Sequence, residues 1–206
     1  MNGRSNTLTL ALIPVAIAIN IAIGQIIVLL KLPIYLDSIG TVLVGMLAGP
    51  IAGLITGALS NLIWGLSGLN PTYAPFFYVA AVIGLLAGIF TRLGWARKIW
   101  MWALAGLITG LVAAIISAPT AAIVFGGVTG AGTDLIVAAL RASGAGIMQA
   151  TFGQGLVSDP LDKLASFLIV YLIVLALPLR LRVRFPMAEY LPGTSEDTSN
   201  VSGASS

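Results

Sequence analysis

Cysteine and histidine are both missing from the 206 residues, and charge is scarce: Lys, Arg, Asp and Glu together make up 8% of the chain. Without thiols there are no disulfides, thiolate nucleophiles or cysteine-ligated metals. Without imidazole there are no His-based general bases, metal ligands or proton relays. The lack of cysteine says nothing about redox compartment. The shortage of charge excludes more. A soluble domain carries about a quarter charged residues, and so sparse a set cannot cover a surface facing water. Lipid must cover it instead.

Other absences narrow the function. There is no Walker motif and no G-x-G-x-x-G in strand–helix context, so the chain is not expected to hydrolyse nucleotides itself. Any Ser nucleophile lacks a His base, and no carboxylate pair is placed for acid–base work. The chain therefore reads as a non-enzyme. No cofactor and no metal is expected. The net charge of +3 reflects basic loops rather than a nucleic-acid surface, and no nucleic-acid partner is expected.

What is present is apolar: 58% of residues are hydrophobic and the mean hydropathy is +1.04. About 20 such residues span the hydrocarbon core as a helix, so the length allows about five to seven spans in one domain. Arg4 followed by an apolar run, with Ala16-Ile17-Ala18 beyond, imitates a signal peptide. The run continues to Leu30, too long for a signal h-region, and reads as a retained helix from Leu8 to Leu30. The stretch Leu36 to Leu66 is broken by Gly49-Pro50, since Pro lacks a donor and clashes with the preceding turn. It reads as two short helices, Leu36–Ala48 and Ile51–Leu66. A turn-rich loop follows from Ser67 to Ala74. A fourth helix covers Pro75 to Phe90, and a fifth Ile99 to Phe125, bent at Pro119.

Residues 126–158 are Gly-rich and carry Asp134, Arg141, Gln149 and Gln154. Charges at a span's centre cost about 2.5–3.5 kcal/mol each, so a re-entrant or interfacial segment is expected. Within it Thr133 can cap a short helix from Asp134 to Arg141, with acid and base placed to suit the helix dipole. The last span reads as Leu161 to Leu177, closed by Pro178. The expected architecture is an all-α bundle of six transmembrane helices over residues 1–185, followed by a polar, disordered tail over residues 186–206. Six crossings with both termini cytoplasmic put Arg4, Arg92, Arg97, Lys98, Arg180, Arg182 and Arg184 inside. Lys31, Arg141 and Lys163 fall outside, each near an acidic residue. This satisfies the positive-inside rule.

Small residues recur every four positions: Gly45, Gly49, Gly53 and Gly57, then Gly84 and Gly88, then Gly106, Gly110 and Ala114. Such stripes let helices approach closely in lipid, and packing within the bundle accounts for most of them. Ala18 and Ala22 on the first helix could face an outside partner. The candidate binding residues gather on the outer side. Tyr35 and Asp37 follow the first helix; Asn70, Tyr73 and Phe76 follow the third; Thr133, Asp134, Gln149 and Gln154 lie in the Gly-rich segment; Asp162 and Lys163 open the last helix. Asn61 continues the third-helix Gly row and needs a partner, either a neighbouring helix or a ligand. Aromatic walls with a few placed polar groups suit a small flat molecule. Structural roles compete. Asp37 and Asp159 read first as helix caps, Asp162–Lys163 as an ion pair, and Tyr35 and Tyr73 as interfacial anchors. The density of Gly126, Gly127, Gly130 and Gly132 indicates tight backbone geometry or close approach to a ligand.

Several stretches, in order and spacing, carry a family resemblance: L-K-L-P-I-Y-L-D-S-I-G-T from Leu30, L-A-G-P-I-A-G from Leu47 and S-N-L-I from Ser60. Later come F-G-G-V-T-G-A-G-T-D-L-I from Phe125 and S-D-P-L-D-K-L from Ser158. The chain resembles the substrate-binding S components of energy-coupling factor (ECF) transporters over nearly its whole length except the tail. The resemblance implies a bacterial or archaeal membrane subunit that captures a vitamin or related micronutrient from outside. It implies docking on a membrane coupling subunit bound to two cytoplasmic ATPases, with Ala18 and Ala22 at the family's A-x-x-x-A docking motif. It also implies a subunit that tips over in the membrane to deliver its ligand. The aromatic and amide groups favour a heteroaromatic ligand. Two other readings stand beside it: a membrane sensor signalling to a separate partner, and an autonomous small-molecule carrier.

Overall fold

The computed structural model describes residues 3–193, with side chains from residue 7 onward; Arg4's side chain and tail residues 194–206 lie outside the described part. Helix is the regular secondary structure of the described residues, and they contain no strand. In chain order the helices are α1 (Gly3–Leu29), α2 (Ile39–Ala48), α3 (Pro50–Leu66), α4 (Phe77–Arg92), α5 (Ile99–Ile123), α6 (Asp134–Ala142), α7 (Ile147–Ala176) and α8 (Leu179–Arg182). Three segments are long and apolar enough to cross a membrane: Thr7–Leu29, Pro71–Arg92 and Ile99–Ile123.

The distribution of polarity agrees with insertion in lipid. Leu10, Ile26, Ile51, Ile63, Leu111, Ile115, Leu161 and Leu172 point outward, while Asn20, Thr41, Thr56, Ser60, Ser158, Asp162 and Lys163 are buried. Large apolar side chains outside and polar ones inside is an arrangement that lipid favours and water does not.

The break between α2 and α3 falls at Gly49-Pro50, where Gly49 adopts φ +97°, a conformation that glycine alone enters freely. The two helices fold back on each other, and α4 closes against both. Glycines make this possible. A Cβ on Gly57 would sit 2.0 Å from the Ala80 carbonyl oxygen, one on Gly53 2.4 Å from that of Gly84, and one on Gly84 2.1 Å from that of Gly53. Gly106 and Gly110 also bring α5 close to α7, where a Cβ would fall 2.9 Å from the Lys163 carbonyl oxygen and 2.4 Å from Pro160 Cα. These stripes are seams within the bundle.

Several boundaries differ from expectation. The second helix begins at Ile39, not Leu36. Lys31 and Leu36 take φ +53° and +48°, and the chain between them runs as an irregular linker. The fourth helix begins at Phe77, because Pro71–Phe76 forms a 3-10 turn. The last long helix begins at Ile147 rather than Leu161 and runs for 30 residues. Its early turns tolerate polar residues because Thr151, Gln154 and Ser158 face the bundle interior. Thr133 precedes α6 but makes no capping bond. Residues 186–193 are ordered against the bundle, not free: Met187 donates its N–H to the Leu47 carbonyl (3.1 Å), and Leu191 is fully buried. Arg97 and Arg182 hold this segment through the Glu189 and Pro192 carbonyls. Polarity of composition concealed two anchoring apolar residues in the segment, Met187 and Leu191.

Candidate functional site

The linker between α1 and α2 turns back into the bundle instead of staying at its edge. Asp37 packs beside Gly24, and Gly40 lies against the Ala16 backbone. Irregular backbone at such depth needs internal partners for its polar groups, and α7 supplies them. Asp162 Oδ1 accepts the N–H groups of Tyr35 (2.9 Å) and Leu36 (2.7 Å). Lys163 Nζ donates to Asp162 Oδ2, to Ser38 Oγ (2.9 Å) and to Asp37 Oδ1 (3.4 Å). The buried Asn20 amide finishes the work on α2: it accepts from Gly40 N–H (2.7 Å) and donates to Thr41 and Ser60.

Beside this linker lies a cavity of about 820 Å³, its open mouth included. The linker contributes Tyr35, Asp37 and Ser38 to its wall, and α7 contributes Gln154, Asp159 and Lys163. Asn61 of α3, Ser117 of α5 and the turn residues Asn70, Thr72, Tyr73 and Phe76 complete the polar and aromatic surface. Val79, Ala80, Ile83 and Ala113 add an apolar part. An apolar, aromatic hollow with a few fixed polar groups is the usual form of a small-molecule site.

Several of the polar groups are held in place. Tyr35 Oη lies 3.0 Å from Thr133 Oγ1 and accepts from Gln154 Nε2 at 3.1 Å; Gln154 also bonds Ser158. Asn61 donates to the Phe76 carbonyl at 3.2 Å. Trp64, itself fully buried and bonded to Gln25, stacks on Tyr73 with centroids 3.6 Å apart. That stacking fixes the Tyr73 ring, whose hydroxyl is buried without a hydrogen-bond partner. The Gly-rich loop after α5 overhangs the cavity and places Thr129 and Ala131 in its lining. Asp134 ties the loop down, accepting from the N–H of Thr129 (3.1 Å) and of Gly130 (2.7 Å) and from the Thr129 hydroxyl (2.9 Å). Lys31 reaches across to the Gly130 carbonyl (2.6 Å). Gly132 meets the linker backbone, where a Cβ would fall 2.3 Å from the Leu32 carbonyl oxygen.

Of the candidate residues, Tyr35, Asp37, Asn61, Asn70, Tyr73, Phe76, Gln154 and Lys163 are brought together in the cavity lining. Four others stand outside it. Thr133 supports the Tyr35 hydroxyl. Asp134 anchors the loop, and Asp162 is buried behind the linker. Gln149 sits exposed at the start of α7, where its side-chain oxygen accepts from Gly146 N–H at 3.0 Å. Asp37 and Asp159 are not helix caps: Ser38 precedes α2, and Asp159 lies within α7 facing the cavity. Asp162–Lys163 is an ion pair as anticipated. Sequence reading passed over Ser117 and Asn20. Their signal was a polar side chain within an otherwise apolar run, and only the packing of other helices shows which way such a residue points.

Comparison of the chain with protein-family models, with curated proteins and with solved structures finds no match.

Proposed function

We propose that this chain is a substrate-capture subunit of an ECF-type importer, binding a vitamin-like heteroaromatic molecule from outside the cell. One observation carries the reading: a polar and aromatic cavity, opening at one end of an apolar bundle, built from a linker that re-enters that bundle. In this reading α1, the α2–α3 pair, α4, α5 and α7 make the six crossings of the cytoplasmic membrane. The Arg92, Arg97 and Arg182 end faces the cytoplasm with both termini, and the cavity opens outward.

The energy would come from partners: a membrane coupling subunit and two cytoplasmic ATPases. Ala18 and Ala22 are exposed on one face of α1, with no larger side chain between them on that row, which fits close approach by another helix. The Gly-rich loop and the Pro71–Phe76 turn flank the cavity mouth and are suited to closing over a ligand.

The test joins two measurements. Mass spectrometry of small molecules released from the purified protein, against an empty-vector control, is expected to find a heteroaromatic compound near equal stoichiometry. Purification from native membranes is expected to bring ATPase subunits with it, and Ala18→Leu with Ala22→Leu is expected to lose them while keeping the ligand. Ligand uptake into vesicles holding this chain alone would replace the proposal with an autonomous carrier.

A further inference from the structure

The charges around the cavity do not balance, and the imbalance bears on what the cavity holds. Among the described residues Lys163 is the one cation in the lining. An ammonium has three protons to donate, and Lys163 meets three acceptors, on Asp37, Ser38 and Asp162. No donor is left over for a carboxylate or phosphate on a ligand. At the mouth Lys31 is engaged by the Gly130 carbonyl, on the loop whose Gly130 N–H is bound by the acidic Asp134 of α6.

Carboxylates are in excess. Asp37 and Asp162 share Lys163. Asp159 lies one helical turn before Lys163, lines the cavity and is 6% exposed. Among the described residues no ion pair includes it; Ser117 on α5 gives it a neutral hydrogen bond, and the nearest cation, Lys163, attracts it but is already paired with Asp37 and Asp162. A buried carboxylate lacking a counter-charge is expensive. A buried hydroxyl nearby has no partner at all: Tyr73 lines the same cavity, and its hydroxyl makes no hydrogen bond. Tyr35, Tyr73 and Phe76 present aromatic surface there, and ring faces attract cations.

Resting on the capture reading above, we infer that the cavity takes a positively charged heteroaromatic ligand, its charge against Asp159 and its ring among Tyr35, Tyr73 and Phe76. The ligand supplies the counter-ion that the protein omits, and a hydrogen-bonding group on it completes Tyr73. Asn61 and Gln154 orient the ring edge. Anionic compounds are rejected, because they would meet Asp159 with no free cation to receive them.

The test uses the full chain in detergent and matched probes of one and two rings. They are 1-methylpyridinium and 1-methylquinolinium, the neutral parents pyridine and quinoline, and the anions of the corresponding 2-carboxylic acids. Binding is read by calorimetry and thermal shift. The cations are expected to bind at least about tenfold more tightly than their neutral parents, and Asp159→Asn to remove that preference. Tighter binding of a neutral or anionic probe by the unmodified protein would overturn the inference and leave the capture reading standing. So would a cation preference that survives Asp159→Asn. Binding by no probe of any class would overturn the inference too, while the capture reading stands or falls on the mass spectrometry described above. The ranking by the unmodified protein decides the matter even if the variant fails to fold.

Discussion

The α3–α4 seam and the junction of α7 with the linker both bring backbone deep into the bundle, by opposite means. Along the seam nothing polar is needed. Gly53, Gly57 and Gly84 remove side chains so that two helices meet at backbone distance. At the junction side chains do everything: Asp162 and Lys163 reach out from α7 to satisfy a stretch of chain that is not helical. A helix satisfies its own backbone, so it needs only room. An irregular linker in an apolar setting needs donors and acceptors brought to it. The first device makes a dry contact, and the second leaves polar groups standing beside a cavity.

The largest effect is expected where that second device is cut. Asp162→Leu removes the acceptor of two partly buried N–H groups and strips Lys163 of its closest counter-ion. Breaking a buried pair in this way costs about 3–5 kcal/mol, read as a fall in thermal unfolding temperature in detergent. Asp162→Asn keeps one oxygen for the linker and should cost less. If Asp162→Leu unfolds like the unmodified protein, the linker is held by other means and the contrast between the two regions fails.

The seam can be tested by the smallest possible addition. Gly57→Ala sets a methyl 2.0 Å from the Ala80 carbonyl oxygen, and overpacking of this kind costs about 1–3 kcal/mol. Gly153→Ala in α7 is the control. Its Cβ would meet only the mobile tip of Leu140, at 3.0 Å, so the gain in helix propensity of about 1 kcal/mol should prevail. Opposite signs in the same unfolding assay sharpen the comparison; equal signs break it.

The two regions also differed in how far the sequence disclosed them. The Gly ladders were readable because a period of four places residues on one helix face whatever the tertiary context. The break at Gly49-Pro50 was readable because Pro's effect is local. The linker was not. Leu36 looks like the first residue of an apolar helix, and its left-handed backbone is imposed by the bonds that Tyr35 and Leu36 make to a residue 126 or 127 positions away. Asp159 resembled a cap because it stood at the expected start of the last helix, yet α7 begins at Ile147 and runs through it. Eight of the candidate residues share one cavity, since polar side chains in a lipid-facing chain have few places to go. Which of them line the wall and which brace it, as Thr133 and Asp162 do, depended on packing that no spacing encodes.

Tyr73 tests the site without disturbing either device. Its hydroxyl is buried and unpartnered while its ring is stacked on Trp64. Tyr73→Phe keeps the ring and removes a group that pays a desolvation cost of about 1–3 kcal/mol with no bond in return. The ligand-free protein is therefore expected to unfold at a slightly higher temperature than the unmodified one. Affinity for a ligand that bonds this hydroxyl should fall, by about fivefold for a net bond of about 1 kcal/mol. A loss of stability would mean that the hydroxyl has a partner in the folded protein and is not held ready for a ligand.

The smallest effect is expected on the face of α1 that touches neither region. Ala18 and Ala22 are exposed, whereas Ala16, two residues earlier, is fully buried against Gly40. Leucine at positions 18 and 22 adds apolar volume where lipid can yield, so unfolding temperature and ligand affinity should both stay unchanged. The same addition at Ala16 would drive side-chain atoms into the α1–α2 contact and is expected to destabilise by about 1–3 kcal/mol. If the exposed pair proved as sensitive as Ala16 in the isolated protein, this face would be packed within the chain and would not be available for a coupling subunit. Silence in the isolated protein, joined to loss of the ATPase complex, is the pattern that a docking face requires.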